Sequence, residues 1–416
     1  MAKTPLWVRS DRILMNGRNA VGDEMTLLDD ARIAFYQKHR DQSRTGDFWI
    51  RLVDDLGLGE QVSEDARRKS TCWEPTRSNC PMLEFSVEKL IAAVPAEWVP
   101  GAERVFAGRT RSADVDARSW RTPRGASIVE IEYQFTIVLD DYVSAFDCWR
   151  DTLVSARKAV SSGTPIEREA ALTEVEVGLL TAWVKLGQAR EPWLDLRAIH
   201  QSSGAFLRDS DRVGPREMTM ADCEAFLLGH EFAHHLAGHL SGDSGRKKRE
   251  AAARILQKAI VDEHYREVVK DLTPKQMDEV TSDVTSLLAF AGYFTGHVTV
   301  ESICRSMLGA VITLTSLGHT GRNWSVQDRE ASHPDILTRL EAVEVVSQML
   351  IHDYVGPVVS QFDPHPLGLL EQLRSFWLYA MDMCQASENP DGQQLPRFRE
   401  HFVRLLERTP TFEQGH

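Results

Sequence analysis

The sequence predicts an α+β fold that is predominantly α-helical. One segment, 127–139, alternates apolar and polar residues with period two, whereas most of the chain from 142 onward repeats apolar residues at helical spacing. Helix-capping patterns stand ahead of several of those runs. The composition is that of a folded globular chain: 416 residues, 42% hydrophobic, 26% charged, mean hydropathy −0.31. That length allows two or three domains, at roughly 100–200 residues each.

Segment 26–57 looks helical, and 83–94 (LEFSVEKLIAAV) has helical spacing. A polar stretch with Pro75 and Pro81 lies between them, and 95–125, rich in Pro, Gly, Arg and Ser, reads as irregular. Residues 1–125 are therefore set apart as an N-terminal region of unknown role. In 127–139 (SIVEIEYQFTIVL), Val129, Ile131, Tyr133, Phe135 and Ile137 share one face, and Glu130, Glu132, Gln134 and Thr136 the other. A polar face suggests a sheet edge, or a sheet covered on one side only. Segments 142–160 and 166–189 read as helices broken by SSGTP.

Segment 220–240 is a strong helix, with Thr219 as N-cap, Asp222 as the carboxylate three residues on and Gly242 as the stop. Residues 247–270 read as one charged helix whose basic start, Arg246 to Arg249, is a solvated face. Thr273-Pro274-Lys275-Gln276 opens another helix, with Pro at the first helical position. Ser332-His333-Pro334-Asp335 opens a further one, and 366–387 and 395–408 are helical. Residues 126–350 are read as the functional domain and 351–416 as a helical extension packing on it.

The 48 Lys and Arg against 61 Asp and Glu give a net charge of −13, which argues against nucleic acid as a partner. The first twenty residues lack the apolar core of a leader, and no run reaches the ~18 apolar residues of a spanning segment. The apolar runs 284–294 and 306–318 are expected to be core helices. Six scattered cysteines without a CxxC pair suit reduced thiols in a cytoplasmic protein with no membrane insertion.

The chemistry concentrates at 229–240, GHEFAHHLAGHL. His230 and His234 are four apart, so a helix stacks them on one face, where two imidazoles can hold one zinc ion. Glu231 is offset by about 100°, outside the ligand set but near the metal's open position, where a general base must stand. Such a site needs a third protein ligand, and the best candidate is Glu279, early in the helix begun at Thr273. Asp283, one turn on, can hold the tautomer of a zinc-bound histidine. Asp278 is read as an exposed helix residue. His235 and His239 are rotated away from the ligand face and read as supporting or packing histidines.

Three motifs thus stand in order: HEFAHHLAGH at 230–239, Glu279-x-x-x-Asp283, and His333-Pro334 followed by Arg339. Over roughly 126–350 this resembles the gluzincin metallopeptidases that include the CaaX prenyl protease and HtpX, and it is similar also to the phage-exclusion (Lit-type) peptidases. The resemblance implies a zincin-like core with an active-site helix and a small sheet. It implies zinc on His230, His234 and Glu279, and Glu231 as catalytic base. His333 would steady the oxyanion, and Arg339 would pair with a carboxylate such as Asp283. The 127–139 strand would be the edge along which a peptide is laid. The best-known members are membrane-embedded, whereas this chain is expected to act on a soluble protein or peptide.

The leading expectation is a soluble zinc endopeptidase. A latent regulatory or toxin-like protease module controlled by its N-terminal region is a second reading, and a zinc hydrolase of a non-peptide amide a third. A zinc-bound scaffold has no need of Glu231.

Overall fold

The computed structural model describes residues 27–39, 81–110, 117–161, 164–190, 215–321, 333–355 and 365–388. The helices expected over 40–57 and 395–408 lie outside them, as do Cys72 and Cys80. Within the described residues helices predominate around one three-stranded sheet.

The sheet consists of β1 (Val105–Thr110), β2 (Ala117–Arg121) and β3 (Ser127–Glu132), in the order β1-β3-β2. β3 runs parallel to β1 and antiparallel to β2. Segment 95–125, expected to be irregular, therefore holds two strands. Their short, Arg-bearing sequences carry little intrinsic strand signal, and pairing with β3 supplies it. Gly125, at φ 87°, makes the turn between β2 and β3 that no side chain adopts easily.

The strand expected over 127–139 ends at Glu132, and a long helix, Tyr133–Ser161, begins there. Phe135, Val138, Leu139, Tyr142, Val143 and Phe146 are all buried, a stripe at helical spacing. Over a few apolar residues periods of 2 and 3.6 cannot be told apart, and burial against the helical layer decides. β3 is also central rather than an edge, and all six of its residues are buried. Val129 and Ile131 face the main core, while Ile128 packs with Ala31 and Phe35 of α1 (Leu27–Lys38). Glu130, on the supposed polar face, is covered by α1 and accepts hydrogen bonds from Lys38 and Trp120, with His39 2.8 Å away. At Gly108 the close approach of α1 leaves no room: a Cβ would stand 2.5 Å from the Phe35 ring.

The longer remaining helices form the other side of the core, with one four-residue helix, Val99–Ala102, ahead of β1. The longer ones are α2 (Pro81–Ala93), α3 (Tyr133–Ser161), α4 (Pro165–Arg190), α5 (Pro215–Leu236), α6 (Arg246–Ala259) and α7 (Glu263–Val269). α8 (Pro274–Phe290), α9 (Val300–Gly321), α10 (Ile336–Tyr354) and α11 (Pro366–Glu388) follow. α5 starts before Thr219, so Thr219 is not its cap. Asp222 instead takes a two-pronged ion pair from Arg305 of α9, at 2.6 and 2.9 Å. The single helix expected over 247–270 is two, because Asp262 caps α7 by accepting from the backbone N–H of His264 and Tyr265. The capping box at Thr273 and Gln276 forms as read. α10 is capped by Asp335, which accepts from the backbone N–H of Thr338; Ser332 lies outside the described residues.

α9 is the one described helix long and apolar enough to cross a membrane, and 61% of that window is buried within the fold. It crosses α5 so closely that a Cβ at Gly309 would stand 2.5 Å from the Asp222 carbonyl. One buried apolar cluster runs from Leu83 to Met383, and the sheet takes strands from both sides of residue 125. The described elements on either side of the expected 125/126 and 350/351 boundaries therefore share one core.

Candidate metal centre

His230 and His234 lie on the last two turns of α5, on a stretch buried throughout. Glu279 comes from the first half of α8. The helices approach closely because Gly229 faces α8, where a Cβ would meet the Ser286 hydroxyl at 2.3 Å. The Ser286 hydroxyl donates to the Phe226 carbonyl and fastens the pair.

The three side chains converge on one point. His230 Nε2 and His234 Nε2 are 3.1 Å apart, His230 Nε2 and Glu279 Oε2 3.3 Å, and His234 Nε2 and Glu279 Oε1 3.5 Å. Ligand atoms about 2.0–2.1 Å from a tetrahedral ion stand roughly 3.3–3.4 Å from one another. This buried group could hold a metal ion. Glu279 Oε2 is buried and makes no well-aligned hydrogen bond, which suits an oxygen that would meet a cation.

The outer ring nitrogens fix the tautomers. His230 Nδ1 is 2.8 Å from Asp283 Oδ1, so Nδ1 carries a proton and Nε2 is the nitrogen turned to the point of convergence. His234 Nδ1 is 3.0 Å from His239 Nδ1, and His239 Nε2 is 3.3 Å from Asp278 Oδ1. Burial, and then the neighbouring His234, push His239 down to about 3, so it is neutral. With its proton on Nε2 toward Asp278, its Nδ1 accepts from His234, whose Nε2 is left free for a metal.

The electrostatics favour a cation. Burial opposes the charge on Glu279, but the facing imidazoles of His230 and His234 outweigh it and hold the carboxyl far below the carboxylate range. Burial likewise opposes protonation of His230, yet Asp283 and Glu279 raise it to about 10. The acids that favour a proton on His230 would favour a metal ion in its place, with release of that proton. Arg339 of α10 is buried and fully engaged with Asp283, with Nε to Oδ2 and Nη2 to Oδ1 both 2.7 Å.

His230, His234, Glu279, Asp283, His239 and Arg339 are thus brought together. His333 also arrives, its Nε2 3.4 Å from Glu279 Oε2 and its side chain 56% exposed, on the open side. His239 reaches His234 because α5 ends at Leu236, not at 240, and Gly238 at φ 78° turns the chain back. His235 packs instead, with Nε2 3.0 Å from the Ile128 carbonyl of β3. Two residues escaped the sequence reading. Asp278, taken as merely exposed, is part-buried and pairs with His239 and with Arg249. Ser119 of β2 hydrogen-bonds Glu231 through both its backbone carbonyl, at 3.0 Å, and its carboxylate. A serine in a segment without strand periodicity gave no signal.

No protein-family model matches the chain, and no curated protein or solved structure matches it.

Proposed function

We propose that this chain is a zinc-dependent endopeptidase with a gluzincin-type site. What carries the reading is the convergence of His230, His234 and Glu279 at the spacing of a tetrahedral ion's ligands, with Glu231 on the adjoining helix face. Two imidazoles and one carboxylate suit zinc in a catalytic site, which keeps its fourth position open. Bound there, zinc would supply a Lewis acid for the scissile carbonyl and lower the pKa of a bound water to about 7.

The chain's own groups would do the rest. Glu231 takes the proton of the attacking water and passes it to the leaving amine. His333, exposed beside Glu279, donates to the developing oxyanion. Asp283 and His239 hold the two imidazoles in the metal-binding tautomer. An extended peptide would pair with β2, the sheet edge that touches α5 through Ser119, rather than with central β3.

Elemental analysis and peptide hydrolysis test the proposal together. The wild-type chain should carry one equivalent of zinc and Glu279→Ala should lose it. Glu231→Gln should keep zinc and lose cleavage. Zinc retained in Glu279→Ala, or cleavage retained in Glu231→Gln, would overturn it.

A further inference from the structure

We propose that Ser119 is a positioning residue for Glu231. The inference rests on the peptidase reading above and adds to it a residue outside the three motifs. Ser119 stands on β2, more than a hundred positions before the α5 glutamate, and its hydroxyl reaches both the Glu231 carbonyl and the carboxylate oxygen Oε2. A hydroxyl has one proton to donate, so it can serve one of those two acceptors at a time.

A general base must be held in one orientation. The Ser119 hydroxyl donates to Oε2 and pins the carboxylate. The other oxygen is left to take the proton from water. The Glu231 backbone carbonyl, 3.0 Å away, is within the same reach, so the hydroxyl is held between the main chain and the carboxylate of one residue. Only that one proton moves, from water to Glu231 to the leaving nitrogen, and Ser119 keeps its own. Glu231 is buried on α5 while its partner lies on a strand, so the bond also fixes the distance between the sheet edge and the base.

The test measures kcat, KM and zinc content on a library of quenched fluorescent peptides of random sequence. Ser119→Ala should lower kcat roughly 10- to 100-fold, the worth of one hydrogen bond to a charged group. KM and zinc content should stay unchanged. Ser119→Thr, which keeps the hydroxyl, should restore most of the rate. Ser119→Cys, similar in size but a weak donor, should behave like Ser119→Ala and covers the case of an alanine variant that does not fold. A purely structural serine would instead lower the melting temperature and zinc occupancy along with kcat. Wild-type hydrolysis that needs zinc and Glu231, with kcat unchanged in Ser119→Ala, would overturn the role of Ser119 alone. A wild-type chain with no zinc-dependent hydrolysis would overturn the peptidase reading, and this inference with it.

Discussion

Asp283 serves two partners with one carboxylate, orienting His230 and neutralising Arg339, and it is wholly buried. Removing its charge leaves a buried guanidinium without its counter-ion. Asp283→Asn should therefore cost about 3–5 kcal/mol of stability, read as a lower urea midpoint of the zinc-free protein. It should also weaken zinc binding about 10- to 100-fold, read by competition with a chelator. An unchanged midpoint would mean that Arg339 has found another partner. At this scale much was legible. The four-residue spacing of His230 and His234, and of Glu279 and Asp283, follows from helix geometry within one element. Asp278 was not legible, because its worth depends on His239 folding back from another element. Ser119 was not legible for the same reason.

Among elements, the turn after α5 matters most. Gly238 adopts φ 78°, and a Cβ there would stand 2.8 Å from Lys248 Cβ and 3.0 Å from the Gly245 carbonyl. Gly238→Ala should cost about 1–2 kcal/mol from the left-handed backbone alone. It should also loosen His239 from His234, so zinc affinity should fall with no ligand changed. Thermal unfolding with and without zinc separates the two effects, and a variant of wild-type zinc affinity would show that His239 is placed by other contacts. Boundaries were harder to read than the existence of helices. Thr273 caps α8 with purely local partners and was legible. Asp222 had the residue type and spacing of a cap, but Arg305 of α9 claims it.

At the scale of the molecule, the sheet lies between α1 on one face and the main helical core on the other, with Glu130 as the charged contact to α1. Burial opposes its charge, but His39 and Lys38 hold its carboxyl below the ordinary 4.5. A depressed acid contributes stability above its unfolded pKa and loses it as pH falls through the folded one. The contribution of Glu130 should thus be complete above about pH 4.5 and fade below it. Glu130→Gln should be less stable than wild type at pH 7, and the gap should narrow as the solution is acidified. Hydrogen exchange should show α1 opening first. A gap independent of pH would rule out the charge as the cause.

The sequence by itself determined the helical class, the side chains that cluster and the helix faces on which they stand, because 3.6 residues per turn is a local rule. Only the tertiary structure decided that β3 is central, that Tyr133 begins a helix, that α5 ends early enough to return His239, and that β2 brings Ser119 to Glu231. Each of those depends on what packs against the segment, and a buried contact between distant residues leaves no periodicity in the chain.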